Sequence, residues 1–336
     1  MIKSAVRITV CTPILRFCAG GAVDNVDDLV AMDKEPGCCG VKIFMGASTG
    51  SLLVSEDRDV EAILSRIARR AAIHSEDEHI MQANRGTKLR AGDPTCHHEV
   101  RDVESAVSST RRLLSIARRV RAKVHVLHIT TADELPILAA HRDVATVEAL
   151  PNHLTLYAPD CYERLGAKAV QNPPIREKHH QDALWVAIRQ GLIDVIGSDH
   201  APHTLEEKAK PYPQCPSGTP GVQTLVPVML THVANGRLSL ERFVDLISAG
   251  PQRVFQFTGK GLMAQGYDAD FTVVDLKARR TITNAQQATK SGWTPFDGME
   301  AKGWPIATVI RGRTVMRDDV LIAPATGEAI GFQATS

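Results

Sequence analysis

The 336-residue sequence has no excess of either charge: 39 Lys and Arg face 38 Asp and Glu, a formal net charge of +1. That balance leaves no basic field to gather nucleic acid or an anionic membrane surface, so a small molecule is the expected partner. No apolar run reaches the roughly 18 residues of a membrane span. The opening stretch, MIKSAVRITVCTPILRFCAGG, carries no cleavage pattern of an exported protein. The seven cysteines (Cys11, Cys18, Cys38, Cys39, Cys96, Cys161 and Cys215) are odd in number and show no CxxC spacing. This argues against a disulfide framework or a Cys-rich zinc module. Together these absences predict a soluble chain in a reducing cytoplasm.

Absent too is any GxGxxG after a strand, which disfavours a doubly wound dinucleotide fold. What is there is alternation. GVKIFM reads as a buried strand, and SEDRDVEAILSRIARR carries Val60, Ile63, Leu64 and Ile67 on one helical face. AAIHSED, KVHVLHITT and VATVEALPNH follow as strands, and IDVIGSDHAPH as a strand running into a polar loop, separated by the helical patterns VRDVESAVSSTRRLLSIARRV, ADELPILAAHR and QDALWVAIRQG. Repeated strand–helix steps predict a parallel (β/α) barrel, whose chemistry gathers at the C-terminal ends of its strands. From about residue 262 the stretches GYDADFTVVDL, RTITNA and IATVIRGRTVMRDDVLI are short, β-rich and punctuated by Gly and Asp. The expected division is a barrel part over residues 1–261 and a β-rich part over 262–336.

Lys42 sits inside the apolar run GCCGVKIFMG. A buried, unpaired ammonium costs several kcal/mol or loses its proton, so its tip escapes to solvent or it has a chemical role. His74, His128 and Asp199 lie at or just past three other strand ends. Each alone has an ordinary explanation: a snorkelling lysine, hydrogen-bonded histidines, a loop-capping aspartate. Together, imidazoles and a carboxylate are zinc-type ligands. A lysine with a lowered pKa could join them after reacting with carbon dioxide to a carbamate.

The ordered set GVKIFMGASTGSLLV, HSEDE, VHVLHITT, QNPPIRE, IGSDHAPHTLEEK, SGTPGVQT and GYDADFTVVD resembles the dihydroorotases of the amidohydrolase superfamily over roughly residues 22–325. The resemblance implies a metal-dependent (β/α)8 TIM barrel, lacking its first strands here, with a small C-terminal β-sandwich part. It implies two zinc ions bridged by carbamylated Lys42, with His74 and His128 on one and Asp199 on the other, Asp199 also acting as general base and acid. Asn172, His203 and the backbone at Ser217 and Gly218 would face the substrate. The implied reaction is reversible hydrolysis of L-dihydroorotate to N-carbamoyl-L-aspartate, in pyrimidine synthesis. Glu76 and Asp77 stay open between ligand support and helix capping.

The sequence departs from that pattern at one point: it contains no His-x-His, the family's pair for the more buried metal, nor the arginine that follows it. This implies an incomplete metal position and impaired turnover. Two alternatives stand beside the dihydroorotase reading. One is another cyclic amidase, a dihydropyrimidinase or hydantoinase. The other is a non-catalytic homologue bound to aspartate transcarbamoylase. Homodimerisation is a further expectation left open.

Overall fold

The computed structural model describes residues 17–35, 37–48, 52–324 and 327–333. The opening stretch lies outside the described residues up to residue 16; its end forms β1 (Phe17–Gly20). Parallel strands β2 (Cys38–Phe44), β3 (Ala71–His74), β4 (Val124–Val126), β5 (Ala145–Ala149) and β6 (Val195–Ile196) follow. Their spatial order is β1-β2-β3-β4-β5-β6. Each strand lies beside its sequence neighbour, with no reversal of order. That is the winding of a (β/α) barrel, whereas a doubly wound sheet reverses at a switch point.

Alternation along the strands sorts side chains onto two faces. Val41, Ile43, Ile73, Val126 and Val147, all 0–1% exposed, join the core formed with the surrounding helices. The opposite face carries Lys42, His74, His125 and Glu148. The helix Val103–Val120 contributes Leu113, Leu114 and Ile116 to that core. Asp102 caps its start by accepting from the Ser105 amide, and Arg121 ends it in the left-handed region. In IDVIGSDHAPH the strand is Val195–Ile196 and the polar stretch after it is loop, as expected. VATVEALPNH divides into β5 and a short helix, Pro151–Thr155, because Pro151 suits the first helical turn and ends the strand.

The C-terminal part forms one antiparallel sheet of β7 (Phe271–Thr281), β8 (Glu300–Ile310), β9 (Arg313–Arg317) and β10 (Val320–Leu321), in the order β10-β9-β8-β7. It meets the helix Leu225–Ala234 at β8, where the Lys302 amide donates to Thr231 Oγ1 at 2.9 Å. Among the described residues no helix is long and apolar enough to cross a membrane.

Ile43 tests this two-faced arrangement, since it neighbours Lys42 in sequence yet points into the helical core. Ile43→Ala should lower unfolding stability in urea by about 2–5 kcal/mol, with the Lys42 face unaffected.

Candidate functional site

Lys42 and His74 are placed by register. Lys42 lies level with Ala72, and Phe44 with His74, so the lysine sits one layer deeper than the histidine. Lys42 Nζ lies over the Phe44 ring, 4.4 Å from its centroid, a favourable seat for a cation. The surrounding protein lowers its pKa to about 8, against the opposing pull of Asp199 and Glu148. The side chain keeps partial solvent access, which softens the effect. Neutral amine, the form that adds to carbon dioxide, is thereby brought closer to physiological pH.

His74 and His128 are 1% and 3% exposed, and His74 Nδ1 faces His128 Nε2 at 3.2 Å. Burial lowers His74 to about 4 and His128 well below its usual value, so both imidazoles are neutral at pH 7. His74 Nε2 meets Glu76 Oε2 at 2.7 Å. Arg101 holds that carboxylate through Nε, 3.1 Å from each oxygen, and also through Nη2. Burial would raise the Glu76 pKa, but Arg101 and His74 outweigh it and hold the carboxyl well below its ordinary range. Glu76 therefore supports His74. Asp77 caps the helix Glu78–Lys88 by accepting from the His79 and Ile80 amides.

His128 and Asp199 both adopt left-handed backbone, with φ of 37° and 42°. Such conformations cost non-glycine residues about 1–3 kcal/mol and cluster at functional sites. Glu148 helps hold the first turn: its Oε1 accepts from the His128 amide at 3.3 Å, and its carbonyl accepts from the Ile129 amide at 2.9 Å. The Glu148 carboxylate fits because residue 197 is glycine; a Cβ there would lie 2.6 Å from its Cδ. The Asp199 side chain is exposed to solvent. Surrounding protein pushes its carboxyl up to about 6, with Lys42 opposing and Glu148 reinforcing.

The donor set can be tested against a metal. Two nitrogens bound to one tetrahedral zinc at about 2.0–2.1 Å would lie about 3.3 Å apart, close to the observed His74–His128 spacing. His128 Nδ1 is buried without a hydrogen-bond partner, a costly condition for a polar atom. Among the described residues no three His, Cys, Asp or Glu side chains form a metal cluster by themselves, so a site here depends on Lys42. The residues fit one metal position, and no His-x-His is present for a second.

Two of the four residues expected to face a substrate share a cavity. Asn172 and Ser217 line one cavity of about 570 Å³, together with Arg101 and Ala47. None of Lys42, His74, His128 and Asp199 is on its wall; Arg101, which also reaches Glu76, joins the two groups. Asn172 Oδ1 meets His97 Nε2 at 3.1 Å. His203 Nε2 meets the Ser217 carbonyl at 3.1 Å. Sequence reasoning missed Glu148 and Arg101. Glu148 had a signal, a lone acid in the apolar strand ATVEA, the same mark that singled out Lys42. Arg101 had none, because it stands among charged residues beside a helix start.

The amidohydrolase family model matches residues 65–315. A dihydroorotase of Methanosarcina mazei is 34% identical over 325 residues, covering 92% of this chain and 70% of that protein. The dihydroorotase of Pyrococcus furiosus is 36% identical over 290 residues, covering 86% of this chain and 64% of that protein. Among solved structures, the L-hydantoinase (dihydropyrimidinase) from Arthrobacter aurescens superposes with a TM-score of 0.91 at 26% identity, covering 95% of this chain and 74% of that one. The chain thus spans 64–70% of the length of these two dihydroorotases.

The buried Arg101–Glu76 pair gives a stability test. Arg101→Met leaves Glu76 buried without its cation and should cost about 3–5 kcal/mol at pH 7 in urea unfolding. A depressed carboxylate stabilises above its unfolded pKa of about 4.3 and loses that contribution as pH falls through its folded value. The difference between the native chain and the variant should therefore narrow in strong acid.

Proposed function

The chain belongs to the amidohydrolase family, and from that premise we propose that it acts on a cyclic amide, with L-dihydroorotate as substrate and N-carbamoyl-L-aspartate as product. The observation that carries this reading is the convergence of Lys42, the His74–His128 pair and Asp199 at one end of the parallel sheet, with two of them in strained backbone. The dihydroorotase relatives support the choice of ring. The hydantoinase likeness favours a second reading, hydrolysis of a dihydropyrimidine or hydantoin.

Lys42, His74, His128 and Asp199 would hold zinc, Lys42 after its neutral amine adds to carbon dioxide to give a carbamate and a proton. Bound zinc would polarise the ring carbonyl and lower the pKa of water. Asp199 supplies the proton path. Its carboxylate accepts a proton from the attacking water as oxygen bonds to the carbonyl carbon, then returns it to the ring nitrogen as the C–N bond breaks. Glu76 and Arg101 keep His74 turned toward His128. Asn172, His203 and the backbone at Ser217 and Gly218 orient the ring. With ligands for one metal rather than the family's two, we expect weak turnover. We also take residues 1–261 as the barrel part and 262–336 as the β-rich part, and the cytoplasm as the compartment.

The test is turnover of L-dihydroorotate and of a hydantoin by the 336-residue chain with zinc and bicarbonate, alongside bound zinc per chain. We expect one zinc and measurable opening of the dihydroorotate ring. Asp199→Asn should lower kcat by about 10²–10⁴-fold while ring binding persists. Folded, zinc-loaded protein active only on hydantoin would favour the second reading. Activity on neither ring would support a non-catalytic role, with aspartate transcarbamoylase or a second copy as partner.

A further inference from the structure

Lys208 is a buried cation that the proposed chemistry does not use. It ends the short helix Leu205–Lys208, opened by a Thr204–Glu207 capping box, and is 2% exposed. An ammonium has three donors and no acceptor, and burying it without partners would cost several kcal/mol. Here each donor has a backbone carbonyl: Val170 O at 2.9 Å, Pro216 O at 2.8 Å and Gly218 O at 3.2 Å. Trp293 lies beneath, its ring centroid 6.0 Å from Nζ, and its indole donates to the His203 carbonyl at 2.7 Å.

These acceptors belong to two separate stretches of chain. Val170 stands two residues before Asn172, while Pro216 and Gly218 flank Ser217. The Gly218 amide also donates to the Val170 carbonyl at 3.0 Å, and the Ala201 amide to the Thr219 carbonyl at 3.0 Å. Gly218 has φ +133°, and a Cβ there would meet the Ala201 carbonyl oxygen at 2.6 Å, so the loop approaches closely only with glycine. A single charged centre thus bonds to backbone beside both Asn172 and Ser217, which line the same cavity. Charge-assisted hydrogen bonds are stronger than neutral ones, which suits Lys208 for fixing loop backbone that has no strand to hold it.

We infer that Lys208 is a positioning residue for ring recognition: its ammonium ties the Val170 and Pro216–Gly218 backbones together, so that Asn172 and the Ser217–Gly218 backbone meet the two edges of a cyclic amide at fixed separation. This rests on the function proposed above and adds a residue that never touches the substrate.

The experiment compares the zinc-loaded 336-residue chain with Lys208→Met, measuring three quantities. These are the Kd for L-dihydroorotate and for a 5-substituted hydantoin, bound zinc, and amide hydrogen exchange at Gly218 and Ala201. The expected result is a rise in Kd of about tenfold or more for the ring that the native chain binds, unchanged zinc, and faster exchange at both amides. A purely structural lysine would lower Tm and leave Kd unchanged, and that result overturns the proposal. Should Lys208→Met fail to fold, Lys208→Gln, which keeps two donors without the charge, takes its place under the same criteria. If the native chain binds neither ring, the function proposed above fails. Exchange then decides Lys208 separately: faster exchange in the variant supports the clamp, and unchanged exchange overturns it.

Discussion

A lysine in the middle of an apolar strand is the constraint around which this protein is arranged. Lys42 shares β2 with Val41 and Ile43, which are fully buried among the helices. Alternation alone turns the ammonium to the other face of the sheet. On that face it meets the Phe44 ring and the charges of Asp199 and Glu148. Those charges stabilise the cation, while the surrounding protein disfavours it. The function proposed above draws on that balance: a lysine between these effects would exchange its proton for a carbon dioxide unit more readily than a surface lysine.

The remaining candidate site residues are held by hydrogen bonds from neighbouring elements. His74 is the last residue of β3 and is held from behind by Glu76 and Arg101. His128 lies beyond β4 in a turn that Glu148 holds at both the His128 and Ile129 amides. Asp199 follows β6 in a loop whose next residue, His200, accepts from the Gly221 amide at 3.1 Å. The strain at His128 and Asp199 is sustained because neighbouring hydrogen bonds leave those residues little alternative. Arg176, 4% exposed, ties a further stretch into this frame by donating to Thr130 Oγ1 at 2.8 Å and to the Arg101 carbonyl at 2.8 Å.

Much of this was legible in the sequence, and the remainder fails for identifiable reasons. Period-2 and period-3.6 patterns located β2 to β5 and their helices because each element buries one apolar face. Lys42, His74, His128 and Asp199 stood out as polar residues at the ends or in the middle of such elements. IDVIGSDHAPH shows a strand giving way to a polar loop, but hydropathy does not register where pairing stops, and here only Val195 and Ile196 pair with β5. Glu148 carried the same mark as Lys42 but was passed over. Arg101 and Lys208 act through partners distant in sequence, and Lys208 binds only backbone carbonyls that no side-chain pattern encodes.

The most direct test of the central claim is carbon-13 NMR of the zinc-loaded chain after incubation with labelled bicarbonate, compared with Lys42→Ala. The account predicts one protein-bound carbamate resonance that is absent from the variant. Full zinc loading with no such resonance, or an equal resonance in Lys42→Ala, would contradict the role assigned to Lys42.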